Sequence, residues 1–275
     1  MDSILIIWPD DHFQKLVNVK SGQTLTVNIS DAKEKWIYDI DTHATKPIFT
    51  QKALANVRHV ENAFNDFTIQ SLLPNYLSRQ GPCIELEDVN QDGLTDLFIG
   101  GAKNHPSRIF IQNANGEFTG LSQPSLAKDS PSEDVAAVFF DADNDGVKDL
   151  YIACGGYEFA ENDLALQDRL YLNDGRGHFI KKENALPQML TSKGCVKATD
   201  IDGDGDMDLF VGGRLVPGKY PSSPSSYILI NNGQGIFTNE TKNICAELQQ
   251  PGMVTDAVWT DLNNDKQPDL IIVGE

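Results

Sequence analysis

Four stretches of this chain place short oxygen-bearing side chains on alternate positions of a tight loop. The fullest is Asp200-Ile201-Asp202-Gly203-Asp204-Gly205-Asp206-Met207-Asp208, followed by the apolar run Leu209–Gly213. Asp88-Val89-Asn90-Gln91-Asp92-Gly93-Leu94-Thr95-Asp96 has the same plan, as does Asp141-Ala142-Asp143-Asn144-Asp145-Gly146-Val147-Lys148-Asp149. The fourth copy, Asp261-Leu262-Asn263-Asn264-Asp265-Lys266-Gln267-Pro268-Asp269, carries lysine where the others carry glycine. Their first aspartates are 53, 59 and 61 residues apart. An internal repeat of this kind decides the architecture before any single element does.

The sequence around each loop alternates as a strand does. Counting back four and two residues from the first Asp gives Ile84 and Leu86, Ala137 and Phe139, Val196 and Ala198, Ala257 and Trp259. All eight are apolar, so one buried face is expected on each preceding strand. A second strand follows each loop: Leu97–Gly101, Leu150–Gly156, Leu209–Gly213 and Leu270–Gly274. A third is read at Arg108–Gln112, Arg169–Leu172 and Tyr227–Ile230. Each third strand runs into a Gly-containing turn and then Phe118, Phe179 or Phe237. Asp-Gly and Asn-Gly pairs supply the positive φ that hairpin turns require. The stretch after each hairpin leaves room for a fourth strand. The expected fold is therefore all-β, a partial β-propeller of four-stranded blades with cation loops, preceded by a small β segment. The repeats are placed near 81–133, 134–192, 193–252 and 253–275. Three and a third blades do not close a ring, so either the remaining blades belong to a longer chain, which is the expectation, or another chain completes the ring.

The loop chemistry points to a hard cation. An EF-hand needs a bidentate acid at position 12, and position 12 here is Ile99, Ile152, Val211 or Ile272. Position 9 is aspartate in every copy. The candidate ligands are thus positions 1, 3, 5 and 9 by side chain, with position 7 (Leu94, Val147, Asp206, Gln267) offering its carbonyl. Oxygen-only donors in this number favour Ca²⁺ over zinc or copper, and over Mg²⁺, which keeps several waters. Lys266 makes the fourth site the weakest expectation.

Composition narrows the partners. With 40 acidic and 22 basic residues, the formal charge is −18, which opposes a nucleic-acid partner because phosphate contacts need Lys and Arg. No apolar run approaches the roughly 18 residues of a membrane span. Cys83, Cys154, Cys195 and Cys245 have no zinc-type spacing and read as ordinary buried thiols. The histidines, His12, His43, His59, His105 and His178, are scattered, and His59, Glu61 and Arg79 read as structural.

Taken together, the loops and strands resemble the FG-GAP/VCBS repeat, the blade unit of integrin-α-type propellers, over residues 81–275. That resemblance implies calcium ligands at Asp88, Asn90, Asp92 and Asp96, at Asp141, Asp143, Asp145 and Asp149, at Asp200, Asp202, Asp204 and Asp208, and at Asp261, Asn263, Asp265 and Asp269. Near the start, three strands are read at Ser3–Trp8, Phe13–Val19 and Thr24–Ile29. Ile6-Ile7-Trp8-Pro9-Asp10, Leu16-Val17-Asn18-Val19 and Gln23-Thr24-Leu25-Thr26-Val27 resemble the end of an ASPIC/UnbV domain over residues 1–30, with Asp11 where that family has glycine. The layout is similar to the family of cartilage acidic protein and its bacterial relatives. Residues 31–80 read as an ordered approach segment with a helical turn near Phe64–Phe67.

These resemblances imply a non-catalytic scaffold, extracellular, on a cell surface or periplasmic, that recognises protein or carbohydrate without entering a membrane. The alternatives are a calcium-dependent polysaccharide-active enzyme of the lyase-like propeller kind, or a structural spacer. The strand 2-to-3 connections vary most between repeats, and exposed aromatic and Arg side chains are common anchors. Tyr157, Phe159, Arg214 and Tyr220 are therefore the expected ligand face, opposite the cation loops.

Overall fold

A computed structural model describes residues 3–37, 49, 57–79 and 81–275; His43 lies outside them. The chain divides into two compact units, Met1–Lys52 and Ala53–Glu275. The second unit therefore begins before the repeats and takes in most of the approach segment.

In the first unit, β1 (Ser3–Ile7) and β2 (His12–Val17) form an antiparallel hairpin. Asp11 at its turn sits at φ 65°. The third strand is not Thr24–Ile29. It is β3 (Glu34–Lys35), paired with His12 and Phe13, and Trp36 packs edge-on against Phe13 at 5.5 Å. Thr24–Val27 has the alternation of a strand but no ladder, because the free edge of β2 is taken by β3. Ile29–Asp31 is a single 3₁₀ turn capped by the Asn28 side chain.

In the second unit, a 3₁₀ turn at Asp66–Thr68 follows the cap Asn65. Fully buried Asp66 fixes the segment by accepting from Leu77 N at 2.5 Å and Ser78 N at 2.9 Å.

Three four-stranded antiparallel sheets and one two-stranded sheet follow. Repeat 1 holds β4 (Ile84–Glu87), β5 (Asp96–Ile99), β6 (Arg108–Gln112) and β7 (Phe118–Leu121). Repeat 2 holds β8 (Asp134–Phe140), β9 (Asp149–Cys154), β10 (Arg169–Asn173) and β11 (Phe179–Lys181). Repeat 3 holds β12 (Ser192–Thr199), β13 (Asp208–Leu215), β14 (Tyr227–Asn231) and β15 (Phe237–Asn239), and repeat 4 holds β16 (Val254–Thr260) and β17 (Asp269–Gly274). Strand order within each sheet follows chain order. Each fourth strand starts at the hairpin Phe itself, so no separate segment is needed to supply it.

Consecutive sheets pack face to face, and alternation within each strand serves two different interfaces. Phe98 and Ile109 of repeat 1 meet Ala137, Leu150, Ile152 and Tyr171 of repeat 2. The opposite face of repeat 2, with Tyr151, Ala153 and Leu170, meets Val196, Leu209 and Leu229 of repeat 3. Phe210 and Ile228 on the far face of repeat 3 then meet Val254 and Ala257. The four sheets form no closed ring among the described residues.

This arrangement corrects one expectation. Ile84 and Leu86 are 56% and 60% exposed. They lie on the face of repeat 1 turned away from repeat 2, in register with Ile99 and Leu97. Ala137, Val196 and Ala257, at the equivalent position in the later repeats, are buried because a preceding sheet covers them.

Candidate metal centre

The four loops share one hydrogen-bond frame, which explains their spacing. The position-1 carboxylate accepts from the backbone of position 5 or its neighbour, and of position 6. In loop 1 these are Asp92 N at 3.1 Å and Gly93 N at 2.8 Å to Asp88. Loop 2 repeats them with Asp145 N and Gly146 N to Asp141, and loop 4 with Asp265 N and Lys266 N to Asp261. Loop 3 shifts the first donor to Gly203 and keeps Gly205 as the second. The position-5 carboxylate accepts from position 7 in all four, for example Val147 N to Asp145 at 2.8 Å. Positions 4 and 6 are left-handed. Gln91, Asn144, Gly203 and Asn264 lie at φ 61–81°, and Gly93, Gly146 and Gly205 at 84–96°. Lys266 adopts φ 67°, where a side chain is strained.

Position 9 is set apart by burial. Asp96, Asp149 and Asp208 are each no more than 1% exposed. Each braces its loop from beneath: one oxygen accepts from position 2 (Val89, Ala142 or Ile201) and the other from the end of the third strand (Gln112, Asn173 or Asn231). In repeat 2 the carboxylates of Asp141, Asp143 and Asp149 offer oxygens within 4.8 Å of one another, and in repeat 3 those of Asp200, Asp202 and Asp208 do the same. Positions 1, 3 and 9 thus converge. Asp145 and Asp204, expected as ligands, are not in these groups of three and brace position 7. In loops 1 and 4, position 3 is Asn90 or Asn263, whose amide donates to Asp92 or Asp265. Asp206 turns sideways, accepting from Asn144 Nδ2 of loop 2 at 2.6 Å.

The electrostatics suit a bound cation. Asp143 Oδ1 is buried with no hydrogen-bond partner among the described residues. Burial, reinforced by Asp143 and Asp145, pushes Asp149 up to about 6 against its backbone hydrogen bonds. Burial also raises Asp96, Asp143 and Asp208 above the usual carboxylate range. Carboxylates raised in this way are short of positive charge. A hard cation bound by oxygen supplies it, so the loop 2 and loop 3 clusters can each hold a metal ion.

The expected ligand face does not survive. Tyr157 is fully buried and Phe159 is 5% exposed. Tyr157 packs with Leu73, Leu77 and Leu215 and donates to Gln70 Oε1 at 2.6 Å. Lys103 lies over the Phe159 ring at 4.5 Å. Arg214, 8% exposed, pairs with Glu275 at 2.9 Å, and the Tyr220 backbone donates to Gln70. The approach segment covers these connections, so their aromatic content is core. His59 pairs with Glu61 at 3.1 Å and contacts Gly100 O. Arg79 donates to Phe64 O. His178 is an exposed hairpin residue beside Asp174. All four cysteines are free, Cys154 and Cys195 buried and the other two half-buried.

Two residues escaped the sequence reading. Asn173 and Asn231 directly follow the third strands as read from sequence; both are buried, and each side chain reaches into the preceding repeat's loop. Their place at the end of the third strand in both repeats was the available signal.

Comparison with known proteins agrees with the loop-and-sheet unit. Residues 88–152 match the family model of an FG-GAP-like repeat. No curated protein matches the chain. Among solved structures it is similar to the V. cholerae biofilm matrix protein Bap1, with 14% identity and a TM-score of 0.35, over 72% of this chain and 28% of that one. The matched segment runs from the first aspartate of loop 1 to the middle of β9.

Proposed function

We propose that this chain is a calcium-dependent β-propeller scaffold that recognises protein or carbohydrate outside the cytosol and performs no catalysis. The observation that carries the calcium reading is Asp143 Oδ1, buried and unpartnered inside a cluster of carboxylates whose loop recurs four times. In loops 2 and 3 the ion would be held by Asp141, Asp143 and Asp149, and by Asp200, Asp202 and Asp208. The position-7 carbonyl and water would supply the further oxygens that calcium's high coordination number calls for. Asp88, Asn90 and Asp96, and Asp261, Asn263 and Asp269, hold weaker copies, with one charge fewer at position 3. On this proposal residues 1–30 are the end of an ASPIC/UnbV-like domain.

Extracellular-type sites have Kd on the order of 0.1–1 mM. At about 1 mM free calcium and a Kd near 0.1 mM, each occupied site adds about 1.4 kcal/mol. Several sites together match a good part of a domain's net stability of about 5–15 kcal/mol. Melting followed by circular dichroism in EDTA, in calcium and in magnesium tests this. The expected result is a fall of about 10 °C in EDTA, restored by calcium and poorly by magnesium. A melting curve indifferent to EDTA overturns the reading. Recognition is tested by glycan-array and pull-down binding in calcium and in EDTA, with calcium-dependent capture as the supporting outcome.

A further inference from the structure

Successive loops are joined by a repeated chain of hydrogen bonds. In loop 2, Ala142 stands between Asp141 and Asp143. Its N–H donates to Asp149 Oδ2 at 2.9 Å. Its carbonyl accepts from Asn231 Nδ2 of the next repeat, also at 2.9 Å. The backbone N–H of that same Asn231 donates to Asp208 Oδ1 at 2.8 Å. Two residues, Ala142 and Asn231, therefore link a carboxylate of the loop 2 cluster to a carboxylate of the loop 3 cluster. The pattern occurs once more. Val89 N donates to Asp96 Oδ2, Val89 O accepts from Asn173 Nδ2 at 2.9 Å, and Asn173 N donates to Asp149 Oδ1 at 2.9 Å. Gln112 holds the matching place in repeat 1, with its N–H on Asp96. Both asparagines are buried, 6% and 4% exposed. A second, outer link joins loops 2 and 3: Asn144 Nδ2 donates to Asp206 Oδ1 at 2.6 Å.

We infer that the cation sites of adjacent repeats bind cooperatively, coupled through Asn173 between loops 1 and 2 and through Asn231 between loops 2 and 3. The inference rests on the metal reading of the loops. A cation in loop 2 fixes Asp141, Asp143 and Asp149, and with them the Ala142 peptide. A fixed Ala142 carbonyl holds the Asn231 amide, and the Asn231 backbone then holds Asp208 in loop 3. The ordering entropy of the shared link is lost once, so the second cation binds to a site already arranged. Linkage makes the effect reciprocal between the two sites. Asn173 and Asn231 are positioning residues and touch no cation.

The test is calorimetric calcium titration in an Asp88→Ala, Asp261→Ala background, which retains loops 2 and 3. Adding Asp202→Ala isolates loop 2, and adding Asp143→Ala isolates loop 3. The product of the two stepwise association constants is compared with the product of the single-site constants. The expected ratio is about 5, the lower end of typical coupling between sites. Asn231→Ala should return it to one while both sites still bind. A ratio of one with Asn231 present, or a ratio unmoved by Asn231→Ala, overturns the coupling while leaving calcium binding intact. Absence of calcium binding to the parent protein in equilibrium dialysis, which reads binding whatever its heat, instead removes the metal reading beneath it. Should Asn231→Ala fail to fold, the ratio with Asn231 present still decides. Asn144→Gly, which keeps the left-handed backbone and removes the outer link, should lower the ratio partway.

Discussion

The two ends of these sheets treat buried acids in opposite ways. At the end away from the loops, the chain supplies its own counter-ions. Asp134 pairs with Arg169 and Asp168 with Lys193 at 2.9 Å, all four side chains nearly or fully buried. Asp129 pairs with Lys181 at 2.9 Å and accepts from Tyr171 Oη. At the loop end, Asp141, Asp143 and Asp149 crowd together, as do Asp200, Asp202 and Asp208, and among the described residues no Lys or Arg forms an ion pair with them. Burying an ionised carboxylate without a partner is costly. The first end meets that cost with arginine and lysine, whereas at the second a metal ion could supply the charge. The paired end of the same sheets is the internal control for the loop end.

The largest expected effect is at the paired end. Lys193 is 1% exposed, and its ammonium also donates to the carbonyls of Leu166 and Met189. Lys193→Met keeps the volume and strands Asp168 in the interior, where removing one member of a buried pair costs about 3–5 kcal/mol. Urea unfolding should give nearly the same loss in EDTA and in calcium, since the pair needs no metal. A loss that calcium rescues would break the distinction between the two ends.

Glu133 is the exception at the paired end and sharpens the comparison. Its carboxylate, 9% exposed, makes no hydrogen bond to a described residue. Burial, then the like charges of Glu61, Glu158 and Asp134, push it up to about 8, with Lys103 pulling the other way. The folded value lies above the unfolded one, so the stabilising proton is fully bound below about pH 4.5. It is lost as pH rises through 8. In saturating calcium, which keeps the loop carboxylates ionised, wild-type stability should fall between pH 5 and pH 8.5. The fall should be on the order of 2 kcal/mol relative to Glu133→Gln, which mimics the protonated acid. Parallel pH profiles for the two proteins would show that Glu133 is compensated after all.

The legible and illegible parts of the sequence divide along the same line. The loops were readable because cation ligation and turn geometry both demand particular residue types at fixed spacing. The second strands were readable because Leu150–Cys154 and Leu209–Gly213 are continuous apolar runs buried on both faces. The outer face of repeat 1 was not, because Ile84 and Ala137 occupy equivalent positions and differ only in having a neighbouring sheet. The aromatic connections were misread because nothing local to Tyr157 says that Leu73 and Leu77, some eighty residues earlier, will cover it. The buried ion pairs were invisible for a like reason: alternation shows which way Asp168 points and says nothing of Lys193.

The smallest expected effect lies in loop 4, where position 6 carries lysine in place of glycine. Lys266 combines two departures from loops 1 to 3, a side chain at φ 67° and a positive charge beside Asp261 and Asp265. Replacing a strained left-handed residue by glycine relieves about 1–2 kcal/mol, and glycine's greater unfolded-state freedom removes about 0.5–1 of it. Lys266→Gly should therefore stabilise the metal-free protein by only about 0.5 kcal/mol. Removing the charge acts separately, because an exposed charge about 4–8 Å from a site contributes about 0.5–1 kcal/mol in water. Lys266→Ala removes the charge and keeps the strain, so it divides the two causes. Trp259 lines the same recess as Asp261 and Lys266 and is the second unit's only tryptophan, so its sensitised terbium luminescence reports on this loop. Both variants should bind the ion several-fold more tightly at low salt. The gain should shrink in 1 M salt, where the screening length is about 3 Å, and only the glycine variant should gain stability in EDTA. Unchanged luminescence titrations in both variants would mean that the loop tolerates its lysine, and that a missing counter-charge alone does not rank these sites.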